Sequence, residues 1–463
     1  MNEARGDLNA ALGPLRDRMR GPVYLSGMDE YDEERTGFQR VAAHRPAMIV
    51  GAGHEQDVRA AVRFAAAHGT RVAVQASGHG LGRPLEGGVL ISTRRMSGVD
   101  VDARRRTAWV EAGASWQRVI DAAAPHGLAP LSGSSPGVGA VSYTLGGGVG
   151  LLARRHGFAS DHVRRLDLVT ADGRHHRVTA DDEPDLFWAL RGGGGNFGVV
   201  TGMEIDLVPV SRIYGGGLYF DVRQVPEVLD GWRRWTATVP EEMTSAVAML
   251  PFPNLPMVPE SLRGRHVAQV QISWLGPVEQ GRLVVEPLRA LGGLLRETLR
   301  EIPYTESGTV FDEPDRPHAY RSRNALLRDL EPDALSALTK LAGPSAPVMC
   351  VVGLRHLGGA LAEPPPLASA VSHREAAYSL NVLSPVEPGQ EELVRAVQDE
   401  AVAPFAERTL GRSLNFSYGP LTQDQVRSAF SAEAYRRLTE TRAVYDPQGM
   451  FHSNHVIPPA IRT

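Results

Sequence analysis

Three glycine-rich segments carry the side chains that could do chemistry. Ser77-Gly-His-Gly-Leu-Gly82 offers a histidine on a flexible loop, and a neutral imidazole is a competent nucleophile at neutral pH. Gly133-Ser-Ser-Pro-Gly137 matches the nucleophile elbow of serine hydrolases, with Ser135 as the nucleophile. In that elbow the next residue donates its N–H to the oxyanion, and here it is Pro136, which has none. Losing one oxyanion donor costs about 100-fold or more in turnover, so acyl transfer at Ser135 is disfavoured. Gly193-Gly-Gly-Asn-Phe-Gly198 has the spacing of a dinucleotide fingerprint, which needs a strand before it and a helix after it. Here the pattern runs the other way, with a helix over 185–191 and a strand over 199–208, and a nicotinamide site is disfavoured too.

The remaining reactive types offer less. His452 and His455 have a metal-like spacing and His175-His176 are adjacent, but no acid or cysteine cluster accompanies either pair, which reads as capping or solvated histidines. Cys350 is the sole cysteine, set in an apolar run, so it forms no intrachain disulfide and reads as a buried thiol. Lys340 is the sole lysine and leaves little scope for Schiff-base chemistry. What the three loops share is main chain that can approach phosphates without side-chain clash. Three separated loops call for a long anionic ligand. FAD, with a pyrophosphate at its centre and an aromatic ring at one end, meets that demand.

The elements that must position these loops follow from periodicity. A strand over 46–50, a helix over 55–68 with Val58, Ala61, Val62 and Ala65 at helical spacing, and strands over 72–75 and 88–92 form a first unit. A second unit runs from a strand at 107–111 through a helix at 116–126 and the glycine-dense stretch 131–150. It continues in a hairpin of 166–170 and 175–178 about Ala171-Asp-Gly173, then the helix at 185–191 and the strand at 199–208. Beyond residue 209 strands at 218–222, 246–250, 268–273, 348–354 and 377–382 alternate with amphipathic helices, and a single helix is expected over 423–443. The fold class is α+β. Trp116 and Trp188 read as core.

Composition bounds the partners. The 463 residues suit two domains or one bilobal enzyme. With 49 basic against 53 acidic residues the net charge is −4, which favours neither nucleic acid nor an anionic membrane surface. No run of about eighteen apolar residues appears, and the N-terminus lacks the apolar region of a secretory signal, so a cytoplasmic protein is expected.

Taken together, Ser77-Gly-His-Gly80, Ser135-Pro-Gly-Val-Gly139, Thr144-Leu-Gly-Gly-Gly-Val-Gly150, the run from Asp185 through Gly195-Asn-Phe-Gly198 to Thr201, and Tyr445-Asp-Pro-Gln-Gly-Met-Phe451 resemble the berberine-bridge-enzyme-like FAD-linked oxidases of the vanillyl-alcohol-oxidase superfamily. Leu357-Gly-Gly-Ala360 and His373-Arg-Glu-Ala-Ala-Tyr378 also look like sheet motifs of that family. The resemblance implies an N-terminal segment (1–37), a two-lobed PCMH-type FAD-binding domain (38–210), a substrate-binding domain with an antiparallel sheet flanked by helices (211–412), and a C-terminal segment returning to the first domain (413–463). It implies flavin contacts from Ala76, Ser77, Gly78, His79, Gly80 and Leu81; from Ser134, Ser135, Val138, Gly139 and Ala140; and from Tyr143, Thr144, Gly147, Gly148, Gly150 and Leu151. Gly195, Asn196, Gly198, Val199 and Val200 resemble adenine and ribityl contacts, and Asn415 and Asn454 stand near the ring or anchor the tail.

In similar proteins the histidine at position 79 carries the flavin 8α-methyl group covalently. Many have a second attachment through a Cys where this chain has Ser135, so a single link is expected, since a hydroxyl is far less nucleophilic than a thiolate. Many also place a base Tyr where this chain has Ser413. Tyr418 and Tyr378 are the substitute candidates, each needing a neighbouring cation or the flavin itself to lower a phenol pKa of ~10. Val138 sits where a small side chain goes with oxygen access. The implied activity is hydride removal from an alcohol or ring carbon of a small natural product, with molecular oxygen reoxidising the flavin to give hydrogen peroxide. The alternatives are a carbohydrate oxidase of the same fold and a non-catalytic FAD-binding protein.

Overall fold

The computed structural model describes residues 13–461; the expectation about the extreme N-terminus falls partly on residues 1–12, outside that range. Three sheets organise the chain. The first has the order β1 (Val23–Leu25), β2 (Met48–Gly51), β4 (Val89–Ser92), β3 (Val72–Gln75), with β4 parallel to both of its neighbours. The helix Glu55–Ala67 crosses from β2 to β3, and His54 caps it by accepting from the Gln56 N–H. It buries Val58, Ala61, Val62 and Ala65 against Val50, Val72 and Ile91, the stripe that the helical spacing predicts.

The second sheet is antiparallel in the order β5 (Val99–Asp102), β6 (Thr107–Glu111), β9 (Val199–Asp206), β7 (Val163–Val169), β8 (His175–Val178). The hairpin at Asp172-Gly173 forms, with Leu166 opposite Val178 and Gly173 at φ +72°. Trp116 and Trp188 lie buried in this lobe's core.

The third sheet is antiparallel and spans Arg212 to Gly411: β13 (Leu294–Glu297), β10 (Arg212–Asp221), β12 (His266–Trp274), β11 (Met243–Pro251), β16 (Val351–His356), β17 (Tyr378–Pro385), β15 (Tyr320–Leu327), β18 (Thr409–Gly411), with β14 (Arg300–Pro303) also on β10. Strand period two gives it two faces. Val270 and Ile272, Val247 and Met249, Val352 and Leu354, and Leu380 and Val382 pack on the helices Val228–Thr236, Val278–Arg289, Pro332–Leu341 and Glu391–Val402. The alternate residues, among them Gln269, Gln271, Ala246, Ala248, Gly353, Arg355, Ser379 and Asn381, face a cavity. Cys350 is buried just before β16, its thiol 3.6 Å from Ser384 Oγ.

The structure departs from the sequence reading in four places. The helix of 423–443 is two helices, Gln423–Arg427 and Ala432–Tyr445, because Ser431 caps a fresh start by accepting from the Ala434 N–H. The Leu357 motif turns into a 3-10 helix, Gly359–Leu361, and the His373 motif is loop until Tyr378, with His373 itself at φ 58°. The glycine-dense stretch holds a short helix, Ala140–Leu145. Strand β15 was missed because its inward face is polar: Ser322 Oγ donates to the Phe416 carbonyl and Asn324 Nδ2 donates to Ser417 Oγ, so satisfied hydrogen bonds stand in for an apolar stripe.

Candidate functional site

One cavity of about 950 Å³ lies between the first two sheets and the third. It is lined by all three glycine loops, by the polar face of the third sheet and by the C-terminal stretch from Phe451 to His455. Such a volume stands near the upper end for small-molecule sites, roughly 300–1,000 Å³.

The loop after β3 is held from outside. Phe38 N–H donates to the Ser77 carbonyl (2.9 Å) and Gln39 N–H to that of Gly78 (3.0 Å). Gly78 is at φ +71°, and a Cβ there would stand 2.5 Å from Gly37 Cα, so only glycine lets the two segments close. The His79 ring stacks on Phe38 with centroids 3.9 Å apart and 12° between planes. Its Nδ1 lies 2.9 Å from Ser77 Oγ, which also accepts from the Gly139 N–H (3.2 Å), and the Tyr320 hydroxyl donates to the His79 carbonyl (2.9 Å). Burial, then the neighbouring His318, brings the imidazole pKa down to about 4. At neutral pH it is uncharged with a lone pair available.

The main-chain N–H groups of Ser77, Gly78, His79 and Gly80, of Gly133, Ser134 and Ser135, and of Gly195 and Asn196 donate to no protein acceptor among the described residues. Gly133, Ser134 and Asn196 are buried, where nearly all main-chain donors find partners, while the others open to the cleft. A second set of polar atoms is orphaned in the same wall: His452 Nε2 and His455 Nδ1 are buried without partners, with burial lowering the His455 pKa to about 4. The arginines lining the cavity, Arg296 and Arg355, both belong to the third-sheet region. An anion at the glycine loops would therefore be held by amide dipoles. These unpaired donors, converging on one cleft, fit a dinucleotide diphosphate.

The structure brings Ala76, Ser77, Gly78, His79, Gly80, Leu81, Ser134, Ser135, Val138, Tyr143, Gly195, Asn196, Gly198, Val199, Val200, Asn415, Asn454 and Tyr418 to the cavity wall. It does not bring Gly139, Ala140, Thr144, Gly147, Gly148, Gly150, Leu151 or Tyr378 there. Much of the glycine in 146–150 serves internal packing: Gly148 lies against the Tyr143 ring, Gly147 against Val371 and Phe158, and Gly150 against the Ser132 carbonyl. Ala140 is core, Thr144 Oγ1 donates to the Ala140 carbonyl, Leu151 is buried, and Gly139 reaches the site only through Ser77. Tyr378 shares the helix face of β17 with Leu380 and Val382; its hydroxyl lies 2.7 Å from Thr236 Oγ1 and its ring near Trp232.

The asparagines hold the tail. Asn196 Nδ2 donates to the carbonyls of Gly193 and His455, while its Oδ1 accepts from Arg442 and the Ile457 N–H. Asn415 Nδ2 donates to the Tyr143 carbonyl (2.8 Å), and Asn454 Oδ1 accepts from the Gly82 N–H (3.2 Å).

Tyr418 lines the cavity wall. Burial, then the Glu313 carboxylate, pushes its phenol up, and the opposing Arg355 charge does not reverse this. Tyr320, packed edge-on to it at 5.0 Å, is pushed up as well. Sequence reasoning missed Phe38, Glu313, Tyr320 and Arg355, which come from three separate stretches. Arg355 lies between the Phe311 and Phe416 rings, 4.5 and 5.0 Å from their centroids. Among the described residues no three His, Cys, Asp or Glu side chains gather as a metal site.

Comparison with known proteins agrees with this geometry. Residues 46–179 match the FAD binding domain family. The chain is 26% identical over 487 residues to (R)-6-hydroxynicotine oxidase of Paenarthrobacter nicotinovorans, covering 96% of this chain and 99% of that one. It is 26% identical over 490 residues to berberine bridge enzyme-like 7 of Arabidopsis thaliana, covering 94% and 88%. Its fold superposes with a TM-score of 0.85, at 20% identity and over 98% and 99% of the two chains, on a glucooligosaccharide oxidase from Acremonium strictum that carries a 6-S-cysteinyl, 8α-N1-histidyl FAD. The likeness read from the motifs extends over nearly the whole chain.

Proposed function

We propose, from the premise that this chain is a relative of the berberine-bridge-enzyme-like FAD-linked oxidases, that it is an FAD-dependent oxidoreductase whose flavin is attached through His79. The observation that carries this reading is the convergence of unpaired amides from three separate loops on one cavity, with a neutral, immobilised imidazole in its wall. Bound FAD would supply a two-electron acceptor for hydride from substrate and pass the electrons to oxygen. The residues of this chain do the rest. Amides of 77–80, 133–135 and 195–196 bind the diphosphate and ribityl chain, Phe38 and Ser77 orient His79, and the polar face of the third sheet receives the substrate.

Attachment is single. Where many similar proteins carry a second link through a Cys this chain has Ser135, and Cys350 lies buried near Ser384, away from the cavity wall. Oxidase behaviour, with Val138 in the wall and molecular oxygen as acceptor, is the favoured mode, and the substrate is an alcohol or ring carbon of a small natural product. Apolar and aromatic groups around the sheet, including Leu250, Phe252, Leu262 and Phe311, support a ring-bearing substrate. The carbohydrate reading draws on Gln269, Gln271 and Asn381 on the cavity floor. The protein is proposed to act in the cytoplasm.

Two experiments test this. Acid precipitation of the purified yellow protein should leave colour in the pellet, and His79→Ala should release it to the supernatant. Anaerobic addition of 6-hydroxynicotine, benzylic alcohols or oligosaccharides should bleach the flavin with one of these donors, and peroxide should form on admitting air. A protein that binds FAD yet is bleached by none of them would instead fit the non-catalytic alternative.

A further inference from the structure

The Asp312 and Glu313 pair supplies the only carboxylates in the cavity wall among the described residues. Glu313 is built into its position from two directions. Its Oε1 accepts from Ser134 Oγ at 2.9 Å, which ties it to the glycine loop of the first domain, and lies 3.7 Å from Arg355 on β16 of the third sheet. Arg355 also donates to Ser134 Oγ at 3.1 Å, and its own guanidinium is fixed between Phe311 and Phe416. Oε2 makes no hydrogen bond to protein among the described residues, and the side chain keeps 37% exposure. The carboxylate is thus anchored by one oxygen and open to the cavity by the other.

The groups that face Glu313 are Arg355, Ser134, Tyr418, Tyr320 and its neighbour Asp312. The two phenols are pushed up by burial and then further by charge, which disfavours either as the proton acceptor. His79 is committed to the cofactor in the proposed reading. The position left by Ser413, where similar proteins place a tyrosine base, therefore has a replacement from a different element.

We propose that Glu313 is the proton acceptor of the oxidation, positioned by Ser134 and Arg355 in the wall of the cavity that would hold the cofactor; this rests on the oxidoreductase reading above. The step balances as follows. A substrate carbon bearing X–H, where X is oxygen or nitrogen, gives up its hydride with both electrons to the cofactor. The X–H proton passes to Oε2 of Glu313, the C–X bond becomes C=X, and the resulting carboxylic acid returns its proton to water. Oxygen takes the two electrons and two protons, giving hydrogen peroxide.

The test needs no knowledge of the substrate. Sulfite adds reversibly to oxidised flavin at its reacting edge and bleaches the visible band, so its affinity reads the charge beside that edge. Sulfite titration of the FAD-loaded protein is compared for wild type, Glu313→Gln and Arg355→Met across the acid-to-neutral range. Removing a negative charge from the cavity wall beside that edge should tighten sulfite binding on the order of tenfold. Arg355→Met should change affinity in the opposite direction, which a variant that merely folds poorly would not do. Sulfite affinities of wild type and Glu313→Gln that agree within about twofold at every pH would overturn the proposal while leaving the flavoprotein reading intact. Failure to bind FAD at all would instead remove that reading. With any donor that bleaches the wild type, Glu313→Gln should slow anaerobic bleaching on the order of 100-fold; an unchanged bleaching rate would overturn the proposal equally.

Discussion

Arg442 is the clearest place to perturb the tail that closes the cavity. It is 1% exposed, and its partner Asp446 is fully buried. Its guanidinium donates to Asn196 Oδ1 (2.9 Å), the Ile457 carbonyl (2.5 Å), Asp446 Oδ2 (3.0 Å) and the Phe451 carbonyl (2.9 Å), so one side chain joins the third glycine loop to both arms of the C-terminal segment. Arg442→Met keeps the length and removes every donor. Asp446 would retain the N–H groups of Met450 and Phe451 but lose its countercharge, and breaking a buried pair this way costs about 3–5 kcal/mol. Urea denaturation followed by tryptophan fluorescence should show that loss as a lower midpoint with an unchanged slope. Arg442→Met/Asp446→Asn, which removes the stranded charge, should recover about 1–2 kcal/mol of it, within the usual range of coupling energies. The flavin should also bind less tightly, because residues 451–455 line its cavity. A loss under about 1 kcal/mol with flavin affinity unchanged would refute the reasoning, since a buried pair costs more than that to break.

Other outcomes follow from the same geometry. Gly78→Ala forces an L-residue to φ +71° and against Gly37; with a left-handed penalty of about 1–2 kcal/mol before the clash, FAD affinity should fall at least tenfold. Gly87→Ala, at φ +68° with open space around it, should leave FAD affinity unchanged, and both are read by fluorescence titration. Tyr378→Phe should cost about 1 kcal/mol for its lost hydrogen bond and leave flavin binding and turnover untouched, whereas loss of turnover would return Tyr378 to the candidate bases. Because the His79 pKa is lowered to about 4, the nucleophilic neutral form prevails above that value. The rate of covalent FAD incorporation into apoprotein should therefore be flat from weakly acidic to neutral pH and fall only as pH drops through about 4, and a midpoint near the ordinary histidine value of ~6.5 would contradict this.

Much of the first domain was legible because its elements carry strong local signals. Strands β3 and β6 fall where their apolar runs place them, and the Glu55–Ala67 helix shows its buried stripe in sequence. The three loops were legible as main chain able to line a cavity, but which glycines line it was not: Gly147, Gly148 and Gly150 pack against Tyr143, Val371, Phe158 and Ser132, contacts that spacing alone does not reveal. Tyr378 was recoverable by parity, since Leu380 and Val382 mark the helix face of β17 and Tyr378 shares it. The Glu313, Arg355 and Ser134 cluster was not recoverable in that way. Its members come from a loop, a central strand and a glycine turn, and nothing local marks them as partners.

The most direct test of the central claim is the crystal structure of the purified, FAD-loaded protein. The diphosphate should accept hydrogen bonds, at about 3 Å, from the amides of residues 77–80 or their counterparts at 133–135 and 195–196, with continuous density joining the His79 ring to the flavin. Flavin density elsewhere, or a diphosphate held by side-chain cations with those amides turned to solvent, would contradict the account.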